Sequence, residues 1–141
     1  MTDESNPVSD DAAFLAALED GSLPREAFSH RNHLRAAWLY LEKHPLPEAA
    51  MYCALSIQKY AGGLGVPEKF HLTLTLAFMH IIAELRVKHP AGDWETFLAK
   101  CPDLQSDARA LVGRYYSEAV LESERARRTF VPPDREPLPT P

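Results

Sequence analysis

The sequence predicts an all-α fold: a single-domain helical bundle of about five to six helices with an extended Pro-rich C-terminal tail. Three observations carry that expectation. Apolar residues recur at helical spacing through most of the chain, while no run alternates as a strand would. The periodic segments are bounded by capping residues, glycines and prolines. A chain of 141 residues, 45% hydrophobic and 25% charged, also has the size and composition of one globular domain.

Residues 1–9 are acidic and polar and read as a disordered N-terminus, residues 10–130 as the helical domain, and residues 131–141 as a tail packed on it. Asp10 or Asp11 can cap a first helix carrying Phe14, Leu15 and Leu18 on one side and ended by Gly21. After a Ser22-Leu23-Pro24 break, Arg25 to Phe28 forms one turn. Ser29 then caps a second helix running to about His44, where Pro45 stops it. Pro47 and Glu48 mark the first turn of a third helix, from about Leu46 to Tyr60. The run Gly62-Gly63-Leu64-Gly65-Val66-Pro67 reads as a loop. The most apolar segment, about Phe70 to Lys88, forms a fourth helix at the centre of the fold, closed by Pro90 and Gly92. Asp93 caps a fifth helix through Leu98, and Leu104 to Tyr116 reads as a sixth, with Leu111, Val112 and Tyr115 on its apolar side. Residues 117–130 add a further short helical piece. The five prolines after residue 131 exclude regular structure from the tail, and Phe130, Val131 and Leu138 are its candidate apolar anchors.

A formal net charge of −5 argues against a general nucleic-acid binder, which needs a basic face to displace counterions. The stretch Leu72 to Leu85 is too short and too interrupted to span a membrane, and the N-terminus lacks the basic start and apolar run of a secretory signal. A cytoplasmic location is therefore expected. Cys53 and Cys101 stand outside any zinc-knuckle or redox-pair spacing.

The histidines carry the chemical interest. On the second helix, His30 shares a stripe with Leu34, Ala37, Trp38 and Leu41, and His33 is its i+3 neighbour. On the fourth, His71 aligns with Leu74, Thr75, Phe78, Ile82 and Leu85. Three imidazoles at the starts of two helices form a candidate metal site for zinc or iron, with His30, His33 and His71 as ligands and an open position for water, dioxygen or substrate. H-x-x-H lacks the zincin's intervening Glu and i+4 spacing, and Glu26 and Glu68 are only candidate fourth ligands. The same histidines can instead bond backbone groups. His80 lies roughly opposite His71 and reads as structural, as do His44 and His89, which each precede a proline at a helix end. Trp38, Thr75 and Phe78 are candidate residues of a ligand pocket, although aromatics at this spacing also serve as core and helical Thr commonly bonds its own backbone. Arg125, Arg127 and Arg128 form a small cluster that a solvated face explains, and Gly62-Gly63-Leu64-Gly65 lacks the lysine and strand of a phosphate loop.

The run Phe28-Ser29-His30-Arg31-Asn32-His33-Leu34, continuing to Ala37-Trp38, resembles an uncharacterised bacterial family of small all-helical proteins whose usual form is Thr or Ser, then H-x-x-H-L, then A-W. The likeness continues through Gly65-Val66-Pro67, Phe70-His71-Leu72-Thr73-Leu74-Thr75 and Tyr116-Ser117 to the tail Phe130-Val131-Pro132-Pro133-Asp134, and so covers nearly the whole chain. Leu72 stands where that family often has glutamate, so no acid-base role for such a residue carries over. The resemblance implies a helical fold and a shared His30, His33 and His71 constellation, without a reaction.

Two functional classes follow. One is a helical metalloprotein, an enzyme on a small molecule if catalytic, in which Thr75 supports the site one turn from His71. The other is a metal-free module that binds a small molecule between the second and fourth helices, or a partner protein through the tail.

Overall fold

A computed structural model describes residues 10–141, so the N-terminal stretch 1–9, read from sequence as disordered, lies outside the described residues. Asp10 caps α1 (Asp11–Asp20) by accepting the Ala13 amide, and Gly21 ends it at φ +84, a left-handed conformation that glycine adopts without strain. A 3-10 turn, Arg25–Ala27, leads to α2 (His30–Lys43), capped by Ser29 through the Asn32 amide. Its expected apolar stripe is buried at Leu34, Ala37, Trp38 and Leu41. Arg35, also buried, reaches Asp11 at 2.7 Å and lies over the Phe14 ring, which fastens α1 to α2.

The third helix, α3 (Leu46–Gly63), runs a turn further than expected, through Gly62 and Gly63. Its end explains why. The Val66 amide bonds the Ala61 carbonyl and the Gly65 amide bonds that of Gly62, with Gly65 at φ +78, a Schellman closure that satisfies the last carbonyls. A second 3-10 turn, Pro67–Lys69, delays the next helix, so α4 spans Leu72–Lys88 and starts two residues later than the apolar pattern suggests. Its Ala77, Met79 and Ile82 are wholly buried, and α4 packs on both α2 and α3 at the centre of the fold.

Asp93 caps α5 (Trp94–Lys100). The single helix expected over Leu104 to Tyr116 is two: α6 (Asp103–Ser106) and α7 (Ala108–Gly113), broken at Asp107, where φ is −146 and ψ 41. In an unbroken helix the Leu104 carbonyl would accept the Ala108 amide, but here it accepts a bond from the His30 side chain. Two more short helices, α8 (Glu118–Leu121) and α9 (Glu124–Arg128), carry serine caps at Ser117 and Ser123. All secondary structure among the described residues is helical, and the helices share one core in a single domain.

The proline-rich segment runs back over the helices. The wholly buried Thr73 donates to the Thr129 carbonyl and accepts the Val131 amide, while the Tyr116 hydroxyl donates to the Val131 carbonyl at 2.6 Å. His80 meets the Pro139 carbonyl at 2.8 Å through Nδ1, which must carry the proton because a carbonyl only accepts. Leu138 packs against the core, whereas Phe130 stays 43% exposed.

Candidate functional site

A helix begins with backbone amides that have no partner inside the helix, and a helix ends with carbonyls in the same position. Both histidines facing the C-terminal helices answer such groups. His71 is the N-cap of α4: its Nδ1 accepts the Leu74 amide at 3.0 Å. That leaves the proton on Nε2, which donates at 2.7 Å to the carbonyl of Leu121, the last residue of α8. Both ring nitrogens of His71 are engaged. His30 donates from Nε2 to the Leu104 carbonyl at 3.1 Å, at the break between α6 and α7. The two imidazoles thus brace the C-terminal helices against the N-terminal ends of α2 and α4.

Between these braces lies a cleft of about 420 Å³. Its walls are apolar: Leu74 and Phe78 from α4, Ala108 and Val112 from α7, and Leu121 from α8. Around its mouth stand the exposed Gln105, Arg109, Glu118 and Glu122, with Arg109 and Glu118 only 3.9 Å apart. His30 and His71 also face this space.

Beside the cleft is a smaller, partly open chamber of about 70 Å³, lined from α2, α3 and α4. His30, Leu74 and Phe78 line both spaces, so the two adjoin. The chamber's remaining polar lining is His33, Thr75 and Cys53. Thr75 donates its hydroxyl proton to the His71 carbonyl, which leaves its oxygen as an acceptor. Burial pushes the Cys53 thiol up to about 12, so it stays protonated. His33 packs its ring on Phe28 at 4.5 Å, and its Nε2 is buried without a protein partner among the described residues. Loss of water around it, helped by the neighbouring His30, lowers the His33 pKa to about 4, and the imidazole is neutral at physiological pH.

The three histidines of the sequence motif are therefore divided. His30 and His33 share the chamber, His30 and His71 share the cleft, and His71 spends both nitrogens on backbone. Among the described residues, no group of three or more His, Cys, Asp or Glu side chains is arranged to hold a metal ion. Glu26 and Glu68 are exposed at the 3-10 turns. Of the candidate pocket residues, Phe78 lines both spaces and Thr75 the inner one. Trp38 is buried in the core against Trp94 and Phe97 and lines neither. The far wall, Ala108, Val112 and Leu121, escaped sequence reasoning because those residues face α4 only after the break at Asp107. Of the three, only Val112 stands on the apolar face that helical spacing predicts.

Fold and site together define an all-α domain with an apolar-walled cleft and, beside it, a half-buried neutral imidazole. No protein-family model, curated protein or solved structure matches the chain. No helix among the described residues is long and apolar enough to cross a membrane.

Proposed function

We propose that this protein is a metal-free small-molecule-binding module whose ligand occupies the cleft between α4, α7 and α8. The observation that carries the reading is the cleft itself. At about 420 Å³ it falls within the range of ligand pockets, and it combines a continuous apolar wall with a few polar groups at its mouth and inner end. The histidines support the same reading. A metal at His71 would have to displace either the bond that caps α4 or the one that closes α8. His30 and His71 instead hold the far wall in place, and His33 is left as the one imidazole of the motif without a backbone partner for its side chain.

Ligand-observed NMR with a fragment panel tests this directly, using Ala108→Trp to fill the cleft from a half-buried wall position. Fragments that bind the natural chain should lose binding to the filled one while its amide spectrum stays folded. Absence of any binder, or binders indifferent to the tryptophan, would overturn the proposal. A parallel zinc titration separates the metal reading. Zinc-dependent stabilisation that disappears in His71→Ala would favour a metalloprotein instead.

A further inference from the structure

Among the described residues, the large apolar side chains that stand exposed gather on one element. Met51, Tyr52 and Leu55 share α3, whereas Val87 and Phe130 lie apart, at the end of α4 and in the tail. At about 100° per residue, Glu48, Tyr52, Leu55 and Lys59 fall within an arc of about 60° on α3, with Met51 beside them. All of them are exposed. Their spacing of four, three and four residues is that of a seam between two helices.

The stripe is complementary to a reversed copy of itself. Glu48 and Lys59 stand at its two ends, about 16 Å apart along the helix axis. A two-fold axis midway between Tyr52 and Leu55 is also midway between Glu48 and Lys59, so one antiparallel register sets apolar on apolar at the centre and acid on base at both ends. A parallel copy would oppose like charges. Neither Glu48 nor Lys59 is in an ion pair among the described residues; Lys59 donates to the Glu19 carbonyl at 3.2 Å and lies near Asp20. Tyr52 is already held in place, its ring 4.6 Å from that of His44 and stacked on Tyr40 at 6.3 Å, so docking orders little that is still free.

We propose that α3 is the interface of a homodimer, packed antiparallel on α3 of a second copy, with Tyr52 against the partner's Leu55 and Glu48 against the partner's Lys59. Three large apolar side chains per copy fall short of a standard interface of about 800 Å² per partner, so the dimer is weak, with a Kd on the order of 100 µM. No residue of α3 lines the cleft, and the pairing stands independently of the ligand reading.

Sedimentation velocity of the full chain from about 10 µM to about 1 mM tests the pairing. The weight-average coefficient should rise from monomer toward dimer, while Leu55→Glu, at an exposed position, should stay monomeric with an unchanged melting curve. Glu48→Lys and Lys59→Glu, taken singly, should each weaken association about tenfold, because the two-fold axis repeats the like-charge pair at both ends. Mixed in equal amounts, those two variants should associate as tightly as the natural chain, since every end pair is again opposite in sign. A chain that is monomeric throughout, its stripe covered by another partner or by none, would overturn the proposal. So would a dimer indifferent to Leu55→Glu. A dimer that Leu55→Glu dissociates but that mixing the charge variants does not restore would overturn the antiparallel pairing.

Discussion

Replacing His33 with phenylalanine should remove most of a distinct acid sensitivity from the fold. The folded state holds His33 at about 4 because the ring has lost its water and faces His30, whereas the unfolded chain titrates near 6.5. Above 6.5 the residue is neutral in both states and contributes nothing to pH dependence. As pH falls from 6.5 toward 4, the unfolded chain takes up a proton that the folded chain refuses, so stability declines and the loss is complete below 4. At about 1.4 kcal/mol per pH unit that loss amounts to about 3.5 kcal/mol, of which about 2.5 kcal/mol is already present at pH 4.5. The other titratable groups lining the chamber are His30 and the protonated Cys53, and both remain in the variant. Urea unfolding of both chains at pH 7.5 and pH 4.5 measures the difference. The natural chain should lose about 2.5 kcal/mol more than His33→Phe between the two conditions. At pH 7.5 the variant should be more stable by about 1 kcal/mol, because an unpartnered buried nitrogen has been replaced by carbon. Identical pH dependence in the two chains, or an NMR titration in which His33 protonates near 6.5, would show that burial does not hold the ring neutral.

Three further outcomes follow from the same contacts. His71→Ala removes a helix cap and the bond to Leu121 and should cost about 2 kcal/mol in urea unfolding, while His71→Asp, which can cap α4 but cannot donate to Leu121, should recover about half. Truncation after Thr129 removes the Val131 bonds to Thr73 and Tyr116, the Pro139 bond to His80 and the packing of Leu138, and should lower Tm by several degrees, about 2 kcal/mol. Unchanged melting, with free-peptide amide exchange at Val131 and Leu138 in the full chain, would contradict it. Gly62→Ala should stabilise the end of α3 by about 0.5 to 1 kcal/mol and Gly65→Ala should destabilise it by about 1 kcal/mol, although neither added methyl meets an atom within 4 Å, because only Gly65 has a positive φ.

Where local chemistry decides the structure, the residues announce it. Asp10, Ser29 and Asp93 accept the amides that their positions suggest, and Gly21 and Pro45 stand at the helix ends expected of them. His71 is different. Histidine lies outside the usual N-cap types, so helical-face arithmetic placed it on an apolar stripe inside the fourth helix, although its Nδ1 sits where a capping Asn oxygen would and its proton points at another helix. The run Gly62-Gly63 read as loop because glycine weakens a helix, but the closure at Gly65 and Val66 satisfies the terminal carbonyls and carries the helix through. The break at Asp107 had no local signal. The groups that support it are the Leu104 carbonyl and His30, 74 positions apart, and a backbone carbonyl leaves no mark in a sequence. For the same reason His30, His33 and His71 were recognisable as a group while their separate roles were not. Metal ligation and backbone bracing ask for the same residue type at the same helix ends, and only the positions of Leu104 and Leu121 distinguish them.

Ligand binding in the cleft between α4, α7 and α8 is read most directly from intermolecular NOEs to a bound fragment that the Ala108→Trp chain no longer binds. The molecule has a competing apolar surface in Met51, Tyr52 and Leu55, exposed together on α3. A ligand seated in the cleft gives NOEs to the methyls of Leu74, Val112 and Leu121 and to the ring of Phe78, with none to Met51 or Leu55. NOEs to Met51 and Leu55 in place of the cleft methyls would contradict it.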